Sequence, residues 1–156
     1  MVARFVGFVE AQPRCFERDC WAGHVTGSAW LMNAAGDAVL LTHHKKLDRW
    51  LQLGGHSDGV GEPLQVAMTE AREESGLPVR PLAATIFDID IHEIPARKAD
   101  PAHYHYDVRF ALAAQGDNFR VSDESHALAW VPVGDMSAFT QEESVLRMAR
   151  KWLSTQ

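Results

Sequence analysis

Cysteine is scarce in this chain, and so are long apolar runs and any excess of positive charge. Its 156 residues include two cysteines, Cys15 and Cys20, which are too few for a disulfide framework or a four-cysteine zinc site. We therefore expect two ordinary thiols and a cytoplasmic location. No stretch is long and apolar enough to span a membrane, and residues 1–14 are too acidic and weakly apolar for a secretory signal.

The formal net charge of −6 excludes most partners that carry many negative charges. DNA and RNA require a basic surface, so we expect no nucleic-acid polymer as a partner. A small phosphorylated substrate stays compatible with this charge if a metal ion and a few local cations neutralise its phosphates. The length fits one domain, residues 1–156, with residues 1–24 as an N-terminal helical extension.

Short apolar and alternating segments dominate the rest of the chain and predict strands. They lie within residues 27–44 (two strands and a turn), 50–53, 83–94, 103–114 and 126–133. Thr140 and Glu143 have the spacing of a capping box, which predicts a closing helix with Val145, Ala149 and Trp152 on one face. Strands with one helix in mid-chain and one at the end indicate an α/β fold, a mixed sheet packed between helices.

The mid-chain helix has clear sequence signals at both ends. Pro63 suits its first turn, Gly76 suits the left-handed position after its end, and Pro78 prevents continuation. Side chains at helical spacing predict the face that packs on the core. These are Leu64, Ala67, Met68, Ala71 and Ser75.

Three glutamates, Glu70, Glu73 and Glu74, share another sector of this helix, which we expect to point away from the core. Neighbouring pairs repel by roughly 0.2–0.5 kcal/mol each, and Glu73 and Glu74 also oppose the helix dipole. A solvated acidic face would account for them. The preceding glycine turn, Gly54 and Gly55, favours a metal site instead, because a close backbone carbonyl and several carboxylates are the oxygen ligands of a hard divalent cation.

The segment 54–77 resembles the signature of the Nudix hydrolases. That signature has a Gly, five residues, a Glu, seven residues, then Arg-Glu-aliphatic-any-Glu-Glu-any-Gly-aliphatic. The matching positions are Gly55, Glu70, Ala71, Glu73, Glu74, Gly76 and Leu77. Two positions depart, with Gly61 at the first Glu, one residue before Glu62, and Thr69 at the Arg. Threonine cannot form the bidentate charged pair of an arginine. Glu62 and Asp58 are candidates to replace the missing carboxylate.

The resemblance implies an α/β/α sandwich and a pyrophosphohydrolase that cleaves the diphosphate linkage of a nucleoside diphosphate derivative. It implies Mg²⁺ or Mn²⁺ as cofactor, held by the Gly54 carbonyl, Glu70, Glu73 and Glu74, with Glu70 or Glu73 as the catalytic base. It also makes a homodimer an expected assembly. A competing interpretation, based on Thr69 and Gly61, is a catalytically weak domain that binds a nucleotide or metabolite as a sensor.

The strand at 103–109 places His103, His105, Asp107 and Arg109 on one face. As a cleft wall, this face would bring His105 and Asp107 to a phosphate, a metal ion or the attacking water. The same pattern suits zinc, which favours imidazole, and it also suits a solvated face of an amphipathic strand. The preceding predicted strand carries a similar row, Asp88, Asp90 and His92. If the two strands pair, the two rows converge.

Two clusters of basic residues are candidates to bind substrate phosphates. Arg97 and Lys98 lie in a proline-bounded loop before the strand at 103–109. Lys45, Lys46 and Arg49 precede the glycine turn. Isolated surface cations are the alternative for both clusters.

Overall fold

Seven strands form one mixed sheet at the centre of the structure, a computed structural model that describes residues 1–123 and 125–155. The strands are β1 His24–Met32, β2 Ala38–His44, β3 Arg49–His56, β4 Val79–Pro81, β5 Asp88–Ile94, β6 His103–Ala114 and β7 Ser125–Pro132. The helices are α1 Val2–Ala11, α2 Pro63–Ser75, α3 Met136–Phe139 and α4 Glu143–Leu153, with a 3₁₀ turn at Val133–Asp135.

The strand order is β4-β6-β1-β3-β2-β7, and β5 also pairs with β6. β1 and β6 are parallel, while every other pair in the described part of the chain is antiparallel. β4 and β5 lie one after the other along the same edge of β6. β6 therefore runs through the sheet between β1 on one side and β5 on the other.

Alternate side chains of β1 enter two separate hydrophobic cores. Ala29 and Leu31 pack with α1 and α2 on one face, and Trp30 and Met32 pack with α4 on the other. All four side chains are fully buried. The predicted α/β/α sandwich, a mixed sheet between helices, is confirmed.

Helix α2 lies unusually close to β1. A Cβ atom placed on Gly27 would lie 2.7 Å from the Pro63 carbonyl oxygen and 2.8 Å from Val66 Cβ, so only glycine permits this approach. The close packing buries a wider sector of α2 than the sequence pattern indicated. The prediction that all three glutamates point away from the core is wrong for Glu74, which is 7% exposed.

The ends of α2 are as predicted. Pro63 is its first residue, and Gly76 adopts a left-handed φ of 70° while its N–H donates to the Arg72 carbonyl. The predicted capping box at the closing helix is wrong. α4 begins at Glu143, and Thr140 Oγ1 accepts the Glu142 N–H at 3.1 Å instead of capping the helix. Among the described residues, no helix is long and apolar enough to cross a membrane.

Candidate active site

A cleft of about 290 Å³ opens where α2 crosses the sheet. Side chains and backbone of β1, β3, β5 and β6 line its floor, and α2 contributes Glu70. Arg18, from the segment between α1 and β1, and Lys46, from the turn between β2 and β3, also line it. The cleft thus brings together residues between Arg18 and Asp107 from several separate elements.

Two of the predicted metal ligands meet the glycine turn at the end of β3. Gly54 N–H donates a 2.8 Å hydrogen bond to Glu74 Oε1. A Cβ atom on Gly55 would lie 2.4–2.6 Å from the carboxylate atoms of Glu70, so that carboxylate rests directly on the glycine. Glu73, on the same helix, is exposed. A donor set of carboxylate and carbonyl oxygens fits a hard divalent cation.

Arg18 is a cleft residue that the sequence did not reveal. Its guanidinium forms a bidentate pair with Asp58, at 2.8 Å from Nε to Oδ1 and 2.7 Å from Nη2 to Oδ2. This pairing raises the pKa of Arg18, and the nearby charge of Glu70 adds to the effect. Arg18 therefore supplies a cation near Glu70, whereas Thr69, at the signature arginine position, is exposed. No local pattern links positions so far apart in sequence.

Asp107 forms the centre of a buried hydrogen-bond network under the cleft. Its side chain accepts hydrogen bonds from Thr26 Oγ1 (2.8 Å) and Ser28 Oγ (2.7 Å) on Oδ1. Oδ2 accepts from Gln52 Nε2 (3.3 Å) and Arg109 Nε (2.7 Å). Four donors therefore already engage this carboxylate, which is 2% exposed. Its geometry suits positioning of the cleft floor better than direct contact with substrate.

The two predicted polar rows do converge, because β5 and β6 pair in the required register. Asp88 lies opposite Arg109, and Asp90 lies opposite Asp107. Arg109, which is 1% exposed, also contacts both of these β5 carboxylates, at 3.6 Å and 3.5 Å. Arg147 of α4 closes the network with a 2.6 Å contact to Asp88. The charged side chains of Asp88, Asp90, Asp107 and Arg109 are therefore all paired.

Histidines occupy the other part of these rows. His92, His105 and His24 lie side by side across β5, β6 and β1. His56 of β3 completes the group, with its ring centre 5.1 Å from those of both His24 and His105. His103 lies 4.8 Å from His24 by the same measure. The sequence predicted part of this row but not that His24 and His56 join it.

Three of these imidazoles, those of His24, His56 and His105, have a lowered pKa. Burial, with the charges of His56 and His103, lowers the pKa of His24 to about 4, against a weaker backbone contact with Cys20. Burial and the neighbouring histidines lower the pKa of His105 to about 2. The pKa of His56 is also lowered, chiefly by burial. All three are therefore uncharged at neutral pH.

The basic residues predicted to bind phosphate are spread over different surroundings. Arg97 and Lys98 are exposed and lie outside the described cleft lining, but the Arg97 guanidinium donates to the Lys46 carbonyl at 3.4 Å. Lys46 lines the cleft. Lys45 bonds the Asp123 carbonyl, and Arg49 pairs with Glu142. Lys46 is thus the member of its cluster that reaches the cleft.

Comparison with known proteins places the chain in a family. A family model for the NUDIX domain matches residues 23–153. The chain belongs to the Nudix family. Hydrolysis of nucleoside diphosphate derivatives is the general activity of Nudix proteins, so the predicted enzyme class, a Nudix pyrophosphohydrolase, is confirmed at that level. No curated protein sequence matches the chain.

Solved Nudix structures share the fold at low sequence identity. A Nudix-family hydrolase from Clostridium perfringens aligns with a TM-score of 0.68 at 21% identity, over 85% of this chain and 98% of that one. An Ap4A hydrolase from C. elegans gives 0.58 at 16% identity, over 84% and 96%. The E. coli dihydroneopterin triphosphate pyrophosphohydrolase gives 0.60 at 16%, over 85% and 96%.

Proposed function

We propose that the protein hydrolyses the diphosphate linkage of a nucleoside diphosphate derivative or a related small phosphorylated metabolite, with Mg²⁺ or Mn²⁺ as cofactor. One observation carries this proposal: Glu70 and Glu74 reach the Gly54–Gly55 turn from α2 at the cleft. The proposed ligands are the Gly54 carbonyl, Glu70, Glu73 and Glu74. When bound, the ion supplies Lewis-acid stabilisation of the charge that develops on the phosphate oxygens.

The three glutamates have different roles in this proposal. Glu74 accepts the Gly54 N–H, which holds the glycine turn against α2 and fixes the direction of the turn. Glu70 lies in the cleft lining, which supports its proposed role as the base that takes the proton of an attacking water. Glu73 is the other candidate for this base.

Cations around the cleft neutralise the phosphates in this proposal. Arg18 and Lys46 line the cleft itself. Arg97 bonds the backbone of Lys46, so the loop that carries Arg97 and Lys98 lies at the cleft rim. We assign these two residues to the outer part of the substrate site. A guanidinium or ammonium there offers donors to phosphate oxygens without a basic overall surface.

His105 and Asp107 have different tasks in this site. His105 lines the cleft as a neutral imidazole, which can donate or accept a hydrogen bond to substrate. Asp107 acts through Thr26, Ser28 and Gln52, whose side chains it orients from below.

The names of two structural relatives support the class of substrate. One is named an Ap4A hydrolase and the other a dihydroneopterin triphosphate pyrophosphohydrolase. Both names refer to small phosphorylated compounds. The further predictions of a cytoplasmic location, with which two free thiols are compatible, and of a homodimer remain part of this proposal.

A second function, a binding domain with little turnover, is favoured by one feature. Thr69 stands at the signature arginine position and is exposed, so it does not orient the catalytic glutamate as an arginine would. Tight binding of a phosphorylated metabolite without any product would identify this function.

Product analysis tests the hydrolase directly. Purified protein is incubated with a panel of nucleotides and nucleoside diphosphate derivatives, with and without Mg²⁺ or Mn²⁺, and products are separated by chromatography. Glu73→Gln and Glu70→Gln are expected to lower turnover by about 100-fold or more, because several kcal/mol of charge stabilisation is lost. Glu10→Gln, an exposed change on α1, is the matched control. Full activity of both active-site variants would contradict the proposed ligand set.

A second variant tests the placement of Glu70. Gly55→Ala puts a methyl group where the Glu70 carboxylate now lies. The carboxylate, at the end of a flexible side chain, must therefore move away. Metal-dependent turnover is expected to fall roughly tenfold to 100-fold, as when a group that positions a metal ligand is lost. The unfolding midpoint in urea should change little. A large loss of stability with intact turnover of the folded fraction would show that Gly55 serves packing alone.

A further inference from the structure

Three histidines from three adjacent strands form a group outside the proposed Mg²⁺ or Mn²⁺ ligands, and only His105 has a part in the proposed hydrolysis, as a hydrogen-bonding group of the cleft. They are His24 at the start of β1, His56 at the end of β3 and His105 in β6. One ring nitrogen from each lies within 4.8 Å of the other two. The two glutamates that rest on the glycine turn belong to α2, so this group is a separate set of donors.

The most buried member of the group has no hydrogen-bonding partner of good geometry. His24 is 1% exposed, and neither of its ring nitrogens makes a hydrogen bond within the described structure. Nε2 of His105 is likewise buried and unpartnered. A buried polar atom without a partner destabilises the folded state. An ion bound among the three rings would satisfy one nitrogen of each histidine.

We propose that His24, His56 and His105 form a second metal site, for Zn²⁺ or a similar transition-metal cation. Imidazole nitrogen is the ligand that these ions prefer, whereas Mg²⁺ requires oxygen. Nitrogens bound at about 2.0–2.1 Å to one tetrahedral ion lie roughly 3.3 Å apart, so small side-chain rotations bring the three together.

The surroundings of the group define the kind of site. His56 and His105 line the cleft, while His24 lies beneath them. The fourth position of a tetrahedral ion therefore faces the cleft and accepts water or an oxygen of a phosphorylated ligand. Three histidines with one open position is the pattern of catalytic zinc sites, whereas structural sites are closed by four protein ligands.

Two neighbouring histidines support the arrangement without joining it. Nδ1 of His103 lies 2.8 Å from the Pro101 carbonyl oxygen, and Nδ1 of His92 lies 3.2 Å from Asp90 Oδ2. These contacts fix both rings beside the three ligands. His92 and His103 thus border the site on its β5 and β6 side.

Metal analysis of the whole protein tests the site. Protein freed of metal with a chelator is given one equivalent of Zn²⁺ in excess Mg²⁺, passed through gel filtration and assayed for zinc. Close to one Zn²⁺ per chain is expected, and Co²⁺ should give the visible absorption of a tetrahedral complex. His56→Gln and His105→Gln should weaken Zn²⁺ binding by at least about 100-fold, since loss of supporting groups alone costs 10–100-fold.

Two controls distinguish zinc at these histidines from zinc held at the surface or at the acidic helix. His126→Gln changes an exposed histidine of β7 and should keep its zinc. Glu73→Gln changes the proposed magnesium site and should also keep zinc, whatever its effect on turnover.

The proposal fails if the parent protein retains no zinc, if both histidine variants retain as much zinc as the parent, or if Glu73→Gln releases the zinc. Circular dichroism confirms folding. Should His105→Gln not fold, His56→Gln, at a half-buried position, decides alone.

Discussion

The row of polar side chains on one face of β6 falls into two groups, an arginine half and a histidine half. They differ in whether their buried polar atoms have hydrogen-bond or charge partners. In the arginine half, Asp107 and Arg109 bond each other, and the carboxylates of Asp88 and Asp90 contact the guanidinium. In the histidine half, His105 and its neighbour His24 have buried nitrogens without partners. Both halves lie on the same strands, only one or two residues apart.

This difference separates polar groups that stabilise the fold from polar groups that are available to a ligand. A fully paired buried network stabilises one arrangement of the strands and offers nothing to a ligand. Unpaired buried groups reduce stability, and they are retained where a ligand satisfies them. Asp107 borders the cleft as His56 and His105 do, but four donors already engage its carboxylate, and Arg109 bonds to Ser144 of α4. Three changes, in order of decreasing effect, test this comparison.

The largest effect is expected from breaking the arginine half. Arg109→Met leaves the buried carboxylate of Asp107 without its cation, while Asp88 and Asp90 keep Arg147, and should lower the free energy of unfolding by about 3–5 kcal/mol. Urea denaturation measures it. Arg150→Met removes an exposed partner of Glu143 and should cost less than about 1 kcal/mol. Equal effects of the two changes would show that the buried network is not structural.

A smaller effect on the free energy of unfolding is expected from lowering the pH. Burial raises the pKa of Asp90, but the His92 hydrogen bond, the Arg109 charge and the Arg147 hydrogen bond outweigh it and hold the pKa at about 2. Asp90 therefore stabilises the folded state above the ordinary carboxyl pKa of about 3.9, and this is lost as the pH falls toward 2.

The stabilisation from Asp90 should amount to about 2 kcal/mol. The free energy of unfolding, measured by urea denaturation from about pH 5 downward, isolates it when the parent is compared with Asp90→Asn. The parent should lose more stability over this range than the variant. Parallel pH profiles would contradict the assignment of the lowered pKa to Asp90.

The smallest effect has the opposite sign and belongs to the histidine half. In metal-free protein, His24→Leu removes two unpartnered buried nitrogens and keeps a side chain of similar size, so the free energy of unfolding should rise by about 1 kcal/mol. Thermal and urea unfolding in the presence of a chelator measure it. His126→Leu on the surface should change stability by less than about 0.5 kcal/mol. A clear loss of stability in His24→Leu would remove the distinction between the halves.

Much of the fold follows from local patterns. The alternation at 103–114 predicted β6 within its observed bounds, and Pro63 and Gly76 predicted both ends of α2. The three-residue strand β4 and the one-turn helix α3 were not predicted, because segments this short carry no measurable period. The wrong capping box at Thr140 has a similar cause. The Thr140 hydroxyl lies three residues before the first residue of α4 and accepts the Glu142 N–H in a turn that uses the same residue types as a capping box.

The site was predictable where it depends on one continuous segment. Glu70, Glu74 and the glycine turn come within a short stretch, and the structure brings them together as a helix packed on a strand end. The burial of Glu74 was missed because it depends on how closely α2 approaches Gly27. Helical periodicity describes which side chains share a face, but not how deep that face is buried.

The amino-acid sequence by itself determined the Nudix signature, the glycine turn, the acidic helix and the facing of the polar row on β6, because each depends on spacing along a short segment. The tertiary structure decided that Arg18 stands beside Glu70, that four donors surround Asp107, and that His24 and His56 join His105. These groupings depend on strand order and register, which place residues tens of positions apart within a few ångströms. Pairing between distant strands has no local signature, so only the folded sheet reveals it.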